Sequence, residues 1–166
     1  MLSKIQLRNA VERVLHVKGN YRGGILEAAV CFDCALSKEI AEETAKELVT
    51  TLKQQSELFR NVRLNTIQWR SDSELVKDVT PMAYLQTGTY FEDYVQVKEE
   101  KALENLAEQL KKFYARSKLI FLLTDGTFTV RDPAKLEESR KPFLEKKLIC
   151  IKLSEEGNGA EIVYPV

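Results

Sequence analysis

Three short apolar runs constrain this chain more than any other feature of its sequence. Ile25 to Phe32 (ILEAAVCF), Leu119 to Leu123 (LIFLL) and Leu148 to Leu153 (LICIKL) are almost wholly apolar, and turn-forming or charged residues bound each one. A short, continuous apolar run suits a strand buried on both faces, as in a parallel sheet. The segments between them have helical periodicity. Ile40, Ala41, Thr44, Ala45, Leu48 and Leu52 form one face after Ser37, with Glu39, Glu42 and Glu43 near the positive helix start. Leu103, Leu106, Ala107, Leu110, Phe113 and Tyr114 form a second face. Asp132-Pro133 opens a third helix, which Pro142 limits or kinks.

Val62 to Trp69 alternates and is rich in strand formers. Leu75 to Val79 is a second short candidate, and Asp72 and Ser73 between them suggest a hairpin. One strand is therefore expected to run antiparallel at the sheet edge. Thr80-Pro81 leads into a loop around Thr87-Gly88-Thr89. Glu161 to Val166 is expected as a final edge strand after the Gly157-Asn158-Gly159 turn. Strands alternating with helices make the class α/β with a mostly parallel sheet. Residues 1–166 form one domain with a core over 25–153. Leu7, Val11, Val14 and Leu15 mark an amphipathic helix within residues 1–20, an N-terminal appendage.

Composition narrows the functions. Hydrophobic residues make up 44%, enough for a core. The 25 basic and 25 acidic side chains cancel, which argues against nucleic acid, because phosphate-backbone binding usually shows a basic excess. No run of about 18 apolar residues exists to span a membrane. Met1 to Gly24 has interspersed charges and no apolar stretch of signal-peptide type, and three cysteines are no disulfide framework. The expected location is the cytoplasm.

Ligands of open α/β sheets bind beyond the carboxyl ends of the strands. Three loops carry oxygens to that edge: Asp33-Cys34-Ala35-Leu36-Ser37, the segment with Thr87 and Thr89, and Thr124-Asp125-Gly126-Thr127. Two aspartates with two or three hydroxyls would suit a hard cation such as Mg²⁺. The stretches AVCFDCALS, QTGTYFEDY and LIFLLTDGT, in this order, resemble the metal-ion-dependent adhesion site of von Willebrand factor A-like domains. That family has Asp-x-Ser-x-Ser after its first strand, then a Gly-Thr loop, then a Thr-Asp-Gly turn.

The resemblance spans roughly Ile25 to Leu153 and implies a Rossmann-like, three-layer α/β/α domain. It implies metal ligation by Asp33, Ser37, Thr89 and Asp125, with Mg²⁺ as the cofactor. It also implies a protein partner whose acidic side chain completes the metal's coordination, and isolated intracellular members often work beside ATPases or chelatase-type machines. Ala35 departs from the pattern: it stands where the family has its first serine, and a methyl group cannot coordinate a cation.

Each residue also has a plainer role. Ser37 suits a helix cap, Asp125-Gly126 a turn, and Thr89 a loop. Asp33 is the hardest to account for that way, because a carboxylate ending so apolar a strand needs a partner. Cys31 and Cys34 have Cys-x-x-Cys spacing, but Cys31 belongs to a strand, and core packing accounts for the pair better than redox work. An aspartate-based phosphate-handling enzyme using Asp33 would want a second acid two residues on, where Ala35 stands. His16, the one histidine, gives a Ser-His-Asp triad little support. Tyr90, Phe91 and Tyr94 suit either a protein-binding rim or the packing of the next helix. The expected function is a non-catalytic protein-interaction module with or without a divalent cation; an Asp33-based enzyme and a metal-free scaffold are the alternatives.

Overall fold

The three apolar runs lie side by side in the middle of one sheet. A computed structural model describes residues 9, 25–54, 61–72, 75–80, 82–113, 117, 119–140, 148–153 and 160–163. In chain order the elements are β1 (Ile25–Asp33), α1 (Lys38–Gln54), β2 (Asn61–Trp69), β3 (Leu75–Val79), α2 (Met82–Thr87), a 3-10 turn (Thr89–Asp93), α3 (Leu103–Phe113), β4 (Leu119–Thr124), α4 (Pro133–Arg140), β5 (Leu148–Leu153) and β6 (Ala160–Val163). Apart from residue 9, the expected helix within residues 1–20 lies outside the described residues, as do Pro142, the Gly157-Asn158-Gly159 turn and the chain beyond Val163.

The sheet has six strands in the order β3-β2-β1-β4-β5-β6. The four inner strands are parallel, while β3 and β6 run antiparallel at the two flanks. This is the strand order of a doubly wound α/β fold. Its direction of growth reverses between β1 and β4, and the crevice at that switch point is where such sheets place ligands.

Both faces of β1 are covered, which is why its sequence is apolar without alternation. Ala28, Val30 and Phe32 pack with Ala41, Ala45, Leu48 and Val49 of α1. Ala29 and Cys31 pack on the other face with Leu106 and Leu110 of α3. Helices therefore cover the sheet from both sides in a three-layer α/β/α arrangement. No described helix is long and apolar enough to cross a membrane.

One expectation needs correction. The segment after Pro81 is expected as a loop, yet it forms α2 and the 3-10 turn. Gly88 separates them at φ 83°, a left-handed conformation that glycine adopts without steric cost. Each piece is too short for a helical face to repeat, so periodicity cannot reveal it. Each is held instead by a buried anchor: Leu85 in α2 and Phe91 in the turn. Phe91 and Tyr94 are buried, and Phe91 meets Phe32 edge-on with ring centroids 5.4 Å apart. These two aromatics fill the core and do not form an exposed rim.

Candidate functional site

Asp33 ends β1, Trp69 ends β2 and Thr124 ends β4, so three strand ends converge at the switch point. All three residues are fully buried. The Thr124 hydroxyl donates to Asp33 Oδ2 at 2.6 Å, and the Ala35 N–H donates to Oδ1 at 3.0 Å. The remaining donor comes from outside the sheet. Lys101, only 1% exposed, forms an ion pair with Asp33 Oδ1 and donates to the Trp69 carbonyl at 3.1 Å. Its ammonium also lies 4.6 Å from the centroid of the Trp69 ring, a cation–π distance. The need for a partner at Asp33 is thus met within the chain.

The backbone on either side of Lys101 is held firmly. The Lys101 carbonyl accepts the Thr129 N–H at 2.8 Å, and the Leu103 N–H donates to the Thr129 carbonyl at 2.8 Å. The Ala102 N–H donates to Asp72 Oδ1 at 2.8 Å. Residues 94–101 form a strap over the β1–α1 loop. The Tyr94 hydroxyl donates to the Leu36 carbonyl at 2.9 Å, the Gln96 amide to the Ala35 carbonyl at 3.0 Å, and the Val97 N–H to the Cys34 carbonyl at 2.8 Å. Beside the strap opens a cavity of about 180 Å³, lined by Ala35, Leu36, Ser37, Ile40, Gln96 and Lys98.

The other residues singled out from the sequence use their oxygens locally. Ser37 Oγ accepts the Ile40 N–H at 3.3 Å and so caps α1. Thr89 shares a hydrogen bond with Thr87 at 3.0 Å on an exposed surface. Asp125 Oδ1 accepts the Thr127 N–H at 3.0 Å and the Thr127 hydroxyl at 2.7 Å, closing a turn. Among the described residues, no hydrogen bond joins any two of Asp33, Ser37, Thr89 and Asp125, and no group of three or more His, Cys, Asp or Glu is placed to hold a metal. In this arrangement the donors do not fit a divalent cation at Asp33: a lysine ammonium already stands on its carboxylate, and the Ala35 side chain offers no oxygen. Thr124 is the one hydroxyl from the three loops that reaches the Asp33 carboxylate.

Burial accounts for the cysteines. It raises the Cys34 thiol to about 11, ahead of a smaller lowering by the Lys101 charge and a smaller raising by the Asp33 charge. It raises Cys31 further. Neither thiol is therefore a nucleophile at neutral pH. Sequence reasoning missed Lys101. The Lys98-Glu99-Glu100-Lys101 run reads as a solvated charge cluster, and only the unexplained charge of Asp33 signals that a cation must arrive from elsewhere.

Asp72 accepts the Ala102 N–H where the strap ends, and its pKa is lowered in the folded protein. Partial burial opposes its ionisation, but hydrogen bonds from the Ala102 N–H, Asn105 and Arg131, with the Arg131 charge, outweigh that and lower its pKa. A carboxyl depressed in the folded state contributes stability above its unfolded pKa and loses it as pH falls through its folded value. The acid limb of wild-type stability, from about pH 4 downward, should be steeper than that of Asp72→Asn. Urea midpoints measured across that range test this, and parallel curves would exclude it.

The chain matches no protein-family model and no curated protein.

Proposed function

We propose that this domain is a non-catalytic protein-interaction module that docks its partner at the carboxyl edge of the sheet. The observation that carries this reading is the cavity between the β1–α1 loop and the strap, at the carboxyl edge where doubly wound folds place ligands. Its lining mixes the apolar Leu36 and Ile40 with Ser37, Gln96 and Lys98, a combination that suits a protein side chain with both an aliphatic and a polar part. The von Willebrand A-like resemblance supports the same face, and the antiparallel β2–β3 pair falls where that resemblance puts a hairpin. An intracellular partner of ATPase or chelatase type is what the resemblance adds.

The sealed state of Asp33 weighs against the phosphate-handling alternative. A nucleophilic or general-base carboxylate must reach its substrate, whereas Asp33 has no exposed surface and both its oxygens accept hydrogen bonds.

A photo-crosslinking amino acid in place of Lys98 tests the docking face in cells. The control position is Glu138 on α4, an exposed site in the layer across the sheet. A discrete crosslinked protein at position 98 and none at 138 is the expected result. Equal patterns at both positions would remove the proposed face, and turnover of a phosphate ester by wild type but not by Asp33→Asn would favour the enzyme.

A further inference from the structure

We propose that the Asp33 pocket is a cation site whose resident cation is the chain's own Lys101 ammonium, so that the carboxyl edge is complete without a metal. The proposal concerns the occupant of this site and stands whether or not a protein docks nearby.

A buried carboxylate needs a positive charge or several donors to offset lost hydration. Asp33 has both: Lys101 and the Ala35 N–H on Oδ1, and the Thr124 hydroxyl on Oδ2. The ammonium, in turn, has the surroundings of a bound cation. It faces the Asp33 carboxylate, the Trp69 carbonyl oxygen and the Trp69 ring. It is 1% exposed, so it offers no open position for water or for the carboxylate of another protein. Mg²⁺ would need about six oxygens in octahedral array. Ala35 supplies none from its side chain, and Asp125 is committed to Thr127.

The delivery of Lys101 also favours a permanent occupant. Its backbone is bonded to Thr129, and the next residue is bonded to Asp72. The side chain enters from a fixed point at the start of α3 and needs no rearrangement of the strap. A tethered ammonium supplies one positive charge against the one negative charge of Asp33, which leaves the pocket neutral. Lys101→Ala would remove the chain from Cγ to Nζ, a fragment with the shape and charge of n-propylammonium. The vacated space should therefore take small primary alkylammonium ions.

The test compares melting temperatures of wild type and Lys101→Ala, full chain, at equal ionic strength. The solutions contain sodium chloride, n-propylammonium chloride, tetramethylammonium chloride, magnesium chloride or EDTA. Wild type should melt at one temperature in EDTA and in Mg²⁺. The variant should melt lower and should rise with n-propylammonium concentration, as mass action requires of a ligand that binds only the folded state. Tetramethylammonium, which has no N–H donor, should give no comparable rise.

Three results would overturn the proposal: a wild type stabilised by Mg²⁺ over EDTA, a variant that melts with wild type, or a lowered variant that n-propylammonium does not rescue. If the variant does not fold, ¹⁵N-lysine spectra of wild type decide. One slowly exchanging ammonium with contacts to the Trp69 ring is expected, and the absence of such a signal would refute the assignment.

Discussion

Asp33→Ala should destabilise the domain by about 3–5 kcal/mol, as measured from the urea midpoint at unchanged m value. The loss comes from the partner left behind. Lys101 would be left in a pocket that exposes 1% of its side chain, without the carboxylate that offsets a buried charge. The Thr124 hydroxyl and the Ala35 N–H would lose their acceptor as well. A buried pair is costly to break and much less costly to replace whole, since removing both partners leaves no uncompensated charge. Adding Lys101→Met to Asp33→Ala should therefore recover most of the loss, a non-additivity that a double-mutant cycle measures directly. Additive effects would mean that the two residues do not act as a pair.

Phe91→Ala should cost a similar amount, about 3–5 kcal/mol, for an apolar reason. The Phe91 ring is wholly buried, with Phe32, Tyr90 and Tyr94 at centroid separations of 5.4, 5.1 and 5.8 Å. Its backbone is pinned by the Phe91 N–H bond to the Gly88 carbonyl at 3.0 Å, which limits collapse into the space left behind. The damage should spread to the carboxyl edge, because Tyr94 packs on Phe91 and its hydroxyl holds the Leu36 carbonyl. Amide exchange at Cys34 to Ser37 should quicken relative to exchange in β4. Chemical denaturation and hydrogen exchange on the same variant check both parts. A stable variant with unchanged exchange would show that the aromatic cluster does not support the loop.

The central strands were legible because a strand covered on both faces admits few polar residues. ILEAAVCF and LIFLL can be buried in few other ways in a chain of alternating helical segments. The antiparallel β2–β3 pair was legible from alternation interrupted by Asp72 and Ser73. The 3-10 turn was not, since one buried side chain, Phe91, has no period. The site divided along similar lines. Asp33 announced itself as a charge at the end of an apolar strand, but nothing local names its partner. Lys101 is distant in sequence, and in the Lys98–Lys101 run it looks like its neighbour Lys98, which is exposed. Topology alone separates the two. Three of the four residues chosen by motif order had a short-range role available, and the geometry places Ser37, Thr89 and Asp125 in those roles.

The two antiparallel flanks of the sheet bear on whether copies of this chain can add to one another. An outer strand presents unpaired backbone groups on which another sheet can grow, and short or charged outer strands limit that growth. Here β3 has 5 residues and β6 has 4, with Lys77, Asp78 and Glu161 in their sequences. The 25 positive and 25 negative side chains cancel, so long-range repulsion gives little protection against such stacking. Among the described residues, resistance to such stacking rests on how little backbone the flanks present. Lengthening β3 or β6 with apolar residues would remove that protection while leaving the core untouched.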